Sequence, residues 1–339
     1  MKVIVLTESE LRQVVKVDHQ SVAAIEDAFT WLAEDKVTMP PIMHIEVRDY
    51  QGDVDIKSAY VSGLDRFAVK IGAGFFQNFK LGLPNSPAMM VVISARTGVA
   101  EAILLDNAYL TDVRTGAAGA VAAKHLAPSE VTTAGVIGAG AQGRYQMMGL
   151  KTVRNFKRLL VFDLDETRVK QYVAKMESML DVEILPAADP EDVIRRSQVV
   201  VTCTPSRQPY IEPSWLHSGL HITAMGADLA GKQELAAEAV AQADILVCDR
   251  RTQRFKMGEF QHAFKAGLIL ESSAVIELGE ITAGRKPGRQ NDDQISICDL
   301  SGTGVQDTAI AHLAVEQAVR NGLGQKIEMD LGIDTQPHS

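Results

Sequence analysis

Residues Val136-Ile137-Gly138-Ala139-Gly140-Ala141-Gln142-Gly143 close an apolar run with Gly-x-Gly-x-x-Gly and lead into a helix-like stretch. This spacing suits a turn that cradles phosphates. Gly138 permits the turn, Gly140 lets backbone approach a pyrophosphate, and Gly143 lets strand and helix pack closely. The N–H groups of the helix start, at Ala141 and Gln142, then hold the phosphates. Alone the pattern is weak, but its context strengthens it. The apolar stretch 158–163 follows and ends in Asp163, 20 residues after Gly143. An acid at that distance hydrogen-bonds the ribose hydroxyls of NAD. Leu164 and Asp165 come next, with no base to receive a 2′-phosphate, so the cofactor reads as NAD(H) rather than NADP(H).

A nicotinamide site also needs groups that fix a substrate and exchange a proton. Ligands of such sheets bind outside the carboxyl ends of the strands. Thr202-Cys203-Thr204-Pro205-Ser206 and Ala224-Met225-Gly226-Ala227-Asp228 both fall at such ends. That nominates Thr202, Thr204, Met225 and Gly226 as cofactor residues. A carboxylate at Asp228 could trade a proton with an amine or imine nitrogen. The alternative is a helix N-cap ahead of Gly231-Lys232-Gln233-Glu234. Lys70, before Gly72-Ala73-Gly74, and Arg114, before Thr115-Gly116, are bases in apolar surroundings. Such bases need an anion, either a substrate carboxylate or an internal ion-pair partner.

These residues require elements to hold them. Residues 7–35 carry helical spacing, with Thr7 and Glu10 forming a capping box. Strands are predicted at 42–47, 57–61, 67–71, 89–94 and 102–105, as an antiparallel, half-buried sheet. On the first of these, His44 and Glu46 fall on the face opposite Met43 and Ile45. A small-residue helix covers Leu110 to Leu126, and Pro128 closes it. From Thr132 strands and helices alternate, with strands at 134–138, 158–163, 182–185, 198–203, 220–225, 244–249 and 294–298. The fold class is therefore α/β, a Rossmann doubly wound parallel sheet beside a second, α+β domain. A last helix spans Val305 to Asn321, and 328–339 reads as a polar tail.

A chain of 339 residues with 46% hydrophobic content fills two domains. A net charge of −9 with no basic face argues against nucleic acid. No apolar stretch is long enough to span a membrane, and the start is too short and too soon acidic for a signal peptide. Cys203, Cys248 and Cys298 read as buried free thiols of a reducing, cytoplasmic compartment. No zinc spacing occurs, so no metal is expected.

The motifs together resemble the ornithine cyclodeaminase/mu-crystallin family over nearly the whole chain. They are Phe67-Ala68-Val69-Lys70, Gly82-Leu83-Pro84, Leu110 to Ala118, the glycine turn, Met225 to Asp228 with Gly231-Lys232-Gln233-Glu234-Leu235, Glu277 to Ile281 with Pro287-Gly288-Arg289, and Ser301-Gly302-Thr303-Gly304. The resemblance implies a homodimer acting on a small amino or imino acid. It implies a substrate and dimerisation domain from 1–129 with 306–339, and an NAD domain over 130–305. By position, Lys70 and Arg114 look like the residues that hold the α-carboxylate, Asp228 like the acid/base and Asp163 like the ribose ligand. The cofactor set extends to Arg114, Thr115, Ser301 and Gly302.

The chain departs from the family at two places. Ile42 and Met43 stand where many members carry an arginine, leaving His44 or Arg48 to substitute. Lys57 stands at about the position where cyclodeaminases carry a glutamate that receives ornithine's distal ammonium. A lysine facing the substrate would repel that ammonium and suit a distal carboxylate; facing the other way it would meet solvent. The segment 57–60 also looks like members that reduce an imine, such as the iminosuccinate reductase and ectoine-utilisation branches. The leading expectation is an NAD(H)-dependent imino-acid reductase with Asp228 and Lys70 catalytic and Lys70, Arg114, Lys57 and His44 binding substrate. A cyclodeaminase lyase and a crystallin-like binding protein are the alternatives.

Overall fold

The computed structural model describes residues 2–253, 257–270 and 274–329, and within it the chain forms two compact units. The polar tail expected from 328 lies outside the described residues from 330 onward.

The first unit comprises 2–16, 37–111 and 307–329 of the described residues. Its strands are β1 (Lys2–Thr7), β2 (Val37–Thr38), β3 (Met43–Val47), β4 (Gly52–Val61), β5 (Arg66–Phe75), β6 (Ala88–Ser94), β7 (Ala100–Leu105) and β16 (Gln325–Glu328). Their order is β16-β1-β7-β6-β5-β4-β2, with β3 also on β4. The five predicted strands are present. The sheet is mixed rather than purely antiparallel, because β1 runs parallel to β7. Neither β1 nor β16 was expected. Both are short, and their partners lie far away in sequence, so no hairpin pattern announces them.

Period-two alternation gives this sheet two unlike faces. Ala59, Ala68, Met90, Val92, Ala102 and Leu104 are buried on one. The Thr308 hydroxyl donates to the Ala59 carbonyl and accepts from the Ala68 N–H there. On the other face Met43, Ile56, Ile71 and Met89 stand in one row and Val69, Val91 and Ile103 in the next. That apolar face is covered only in part, and Met43 is 58% exposed.

The second unit comprises Val17–Lys36 and Asp112–Gln306. The predicted helix at 7–35 is two helices, α1 (Glu8–Val14) in the first unit and α2 (His19–Ala33) in the second. Asp18 breaks the run, since its carboxylate accepts from the Gln20 and Ser21 N–H groups and starts α2. The further helices of this unit are α3 (Tyr109–Leu126), α4 (Ala141–Val153), α5 (Glu166–Leu180), α6 (Pro190–Arg196), α7 (Ala237–Ala241), α8 (Phe260–Lys265) and α9 (Leu278–Thr282), and α10 (Gly304–Arg320) belongs to the first unit from Asp307 onward.

Between them run β8 (Thr133–Ile137), β9 (Arg158–Phe162), β10 (Glu183–Pro186), β11 (Val199–Thr202), β12 (His221–Ala224), β13 (Ile245–Cys248), β14 (Val275–Glu277) and β15 (Ser296–Asp299). All pair in parallel, in the order β10-β9-β8-β11-β12-β15-β13-β14. This is the doubly wound sheet expected, with β14 added at an edge. Its three residues are too few to show a period.

The grouping of residues differs from the expected boundary at 17–36, 112–129 and 306, which belong with the parallel sheet. Small residues explain why. Gly279 on α9 lies against the Phe29 carbonyl of α2, where a Cβ would collide, and the Thr30 and Thr282 hydroxyls meet at 2.8 Å. Gly116 on α3 and Gly149 on α4 pack with the same closeness.

Candidate active site

The switch point of the parallel sheet lies between β8 and β11, where the chain order reverses. β8 is buried throughout and runs into Gly138, whose φ is +110°. A Cβ there would meet the Cys203 carbonyl oxygen at 2.9 Å. Gly140 begins α4 facing open space, for a Cβ would find nothing within 4 Å. Its backbone is thus free to meet a ligand, while Gly143 is pressed against the Gly138 carbonyl.

Asp163 follows β9 and closes this turn. Its Oδ2 accepts from the Ala139 N–H at 2.9 Å and its Oδ1 from the Asp165 N–H at 3.0 Å. A carboxylate has about four acceptor sites, so two remain for ribose hydroxyls. A cleft of ≈ 820 Å³ opens beside it, lined by Gly138, Gly140, Asp163, Arg168, Cys203 and Thr204 among others. Its size and donor set fit a nucleotide. Cys203, expected in a buried strand, instead lies just past β11 and is half-buried on this cleft.

Thr202 and Thr204 sit where a cofactor residue should, but their hydroxyl hydrogens are engaged. Both donate at 2.7 Å to Glu234, whose side chain is fully buried. The same carboxylate accepts from the Thr204 N–H, the Tyr210 hydroxyl and the Gly226 N–H. Burial pushes Glu234 upward from the usual carboxylate range, while the Thr204 and Thr202 donors pull it back. Glu234 therefore ties the loops after β11 and β12 together. Asp249, also buried, does the same for the loop after β15. It accepts from the Ser301 N–H and hydroxyl and from the Gly302 N–H. The Gln142 amide donates to Asp112 at 2.6 Å, and the Thr115 carbonyl accepts from Gln146. Met225 packs on the core beside them.

Arg114 is buried on α3, and its Nη1 donates to the Gln306 Oε1 at 3.0 Å. Asp228 lies past β12 with its side chain 53% exposed, and Lys232 Nζ stands 2.6 Å from its Oδ1. The alternative of a helix cap fails, because the next helix of the chain, α7, begins only at Ala237.

Lys70, on β5 of the first unit, is buried with its Nζ 3.2 Å from the Asp307 carboxylate. The internal ion pair weighed as its alternative is thus present. Lys57 stands directly opposite Lys70 across β4 and β5. Residues so paired share a face, and Lys57 makes no ion pair among the described residues. His44 and Asp55 are on that face too, joined at 2.8 Å, and this partner raises the pKa of His44. Arg48 points away to Glu46 at the surface. Lys70 and Arg114 belong to different units.

The glycine turn at a switch point makes this a Rossmann dinucleotide-binding protein, and Asp163 beside it makes NAD(H) the cofactor. An uncharacterised cyclodeaminase of Sinorhizobium fredii is 46% identical over 96% of this chain and 98% of its own. Among solved structures, an archaeal alanine dehydrogenase dimer with bound NAD superposes with a TM-score of 0.90 at 32% identity, covering 97% and 100% of the two chains. The Δ1-pyrroline-2-carboxylate reductase of Thermococcus litoralis, in complex with NADH and L-proline, gives a TM-score of 0.91 at 30% identity over 96% and 100%. The chain belongs to the ornithine cyclodeaminase/mu-crystallin family, whose sequence profile matches residues 1–322.

Reading the residues alone missed Glu234, Asp249 and Asp307. Each is an acid in or beside an apolar run, which is the available signal: such a group is buried only with partners.

Proposed function

We propose that the protein is an NAD(H)-dependent reductase of an imino acid, or an amino-acid dehydrogenase in the reverse direction. When bound, the nicotinamide supplies or accepts the hydride at the carbon of a C=N bond beside a carboxylate. Lys70 and Arg114 hold that carboxylate. Asp228 gives the proton to nitrogen, with Lys232 restraining its side chain. The observation that carries the reading is the register placing Lys57 opposite Lys70. Like charges side by side repel, and a substrate with a second acidic group relieves that, whereas ornithine's distal ammonium worsens it.

The cyclodeaminase alternative keeps one specific support, the name of the 46% identical relative. One assay separates the two. NADH absorbance is followed with oxaloacetate plus ammonium, pyruvate plus ammonium and pyrroline-2-carboxylate, with an ammonia assay on ornithine in parallel. The reductase consumes NADH with one imine and leaves ornithine untouched. Ammonia from ornithine without net NADH change overturns the reading, and tight binding with no turnover of any imine would return the binding-protein alternative.

We assign substrate contacts and dimerisation to 1–129 with 306–339 and the cofactor to 130–305, a division of roles that cuts across the structural grouping, in which 17–36, 112–129 and 306 go with the parallel sheet. The relative solved as a dimer supports a homodimer, and the partly covered row Val69, Val91 and Ile103 suits a second copy of the chain. Val91→Asp should then yield monomers by light scattering. Three free thiols suit a reducing, cytoplasmic setting.

A further inference from the structure

Gln306 is the third residue of α10 and is fully buried. Its Oε1 faces the Arg114 guanidinium. A guanidinium only donates, so the amide oxygen must lie on that side and Nε2 on the other. Nε2 is buried and has no acceptor. Three residues earlier in the same turn, the Thr303 hydroxyl is also buried without a partner. Gly302, next to it, has a φ of +84° and presses so close to Arg114 that a Cβ would sit 2.9 Å from Nη1. Buried donors left unmet are costly and are normally satisfied by ligand or water. The start of the seventeen-residue helix α10 adds positive potential to the same place. A guanidinium, an amide N–H, a hydroxyl and a helix N-terminus all call for an acceptor-only anion.

We propose that Gln306 is a substrate-positioning residue: it fixes Arg114 through Oε1 and donates an Nε2 hydrogen to the substrate carboxylate. This rests on the imino-acid reading, in which Arg114 meets that carboxylate.

The test uses the full-length protein saturated with NAD⁺, with oxalate as the carboxylate probe in calorimetry. Gln306→Met keeps the shape and removes both polar atoms. It should weaken oxalate at least about tenfold, the lower range for a hydrogen bond to a charged group, and leave NADH affinity unchanged. Gln306→Glu, isosteric but anionic, should weaken it on the order of a hundredfold through repulsion of the probe. With the wild type turning over an imine, Gln306→Met should raise KM more than it lowers kcat. Unchanged oxalate affinity in both variants overturns the proposal, since water then satisfies the amide. So does a loss of NADH affinity instead, which makes the nicotinamide carboxamide the acceptor. A wild type that turns over no imine yet loses oxalate in the variants would sink the reductase reading and leave this subsite standing.

Discussion

Under the proposed function, the two sheets recognise their ligands by different means. The parallel sheet offers backbone. Gly138, Gly140 and the start of α4 present N–H groups, and buried acids such as Glu234 and Asp249 hold the surrounding loops from behind. The mixed sheet offers side chains set by register, with Lys57, Lys70, His44 and Asp55 on one face. Backbone recognition tolerates change in neighbouring side chains and serves one invariant cofactor. Side-chain recognition changes with a single residue and suits a variable substrate. A family that keeps NAD(H) while its members act on different amino and imino acids needs this division.

Substitutions can break that contrast. The largest effect should come from Asp228→Asn, which removes the proposed proton donor without touching the backbone cradle. We expect kcat to fall about 10²–10⁴-fold, the usual worth of a general acid, with NADH affinity unchanged by fluorescence. Full turnover in this variant would eliminate Asp228 from the chemistry. Glu234→Ala comes next, leaving five donors without their shared acceptor. It should cost at least about 3 kcal/mol in denaturant unfolding, since each buried donor left unmet costs roughly 1–3 kcal/mol, and weaken NADH, because the loops at Thr204 and Gly226 come free. A stable variant with normal NADH binding would mean the carboxylate holds neither loop.

The mixed sheet carries its own buried acid. Burial pushes Asp106 up to about 6, while the Leu110 N–H and the charge of Lys70 pull it down. An unfolded aspartate releases its proton near 3.8. Between these pH values the folded chain keeps a proton that the unfolded chain has lost, so this group lowers stability as pH rises through that window. Asp106→Asn should therefore gain on the wild type from pH 4 to 6, by up to about 3 kcal/mol. Parallel stability curves over that range would contradict the expectation. The smallest effect should be Lys57→Glu, which sharpens the contrast by altering only the substrate. It should shift the ratio of kcat/KM from acidic toward basic imino acids by roughly 10–100-fold, at constant KM for NADH.

The cofactor half was legible because its signals are local. Gly138 to Gly143 and Asp163 lie within one β–α–β stretch, and the seven predicted strands around them recur in the parallel sheet. What stayed hidden depends on distant partners. Lys57 could face either way until its register against Lys70 was fixed. Asp307 meets Lys70 from the other end of the chain, and Glu234 earned no role from its surroundings in sequence. β14 and β16 are too short to show a period. Asp228 was legible in place but not in company, since Lys232 pairs with it where a helix cap was the other choice.

The edge of the mixed sheet has a consequence for biosynthesis. β1 pairs with β7 on one side and with β16 on the other, Val3 against Ile327 and Val5 against Gln325. At about 5–20 residues added per second, on the order of tens of seconds separate the emergence of these two strands from the ribosome. Through that interval the nascent β1 keeps an unpaired edge, open to another chain. Cutting the gene before codon 325 would make that condition permanent, and the product should aggregate although every nucleotide-binding residue is intact.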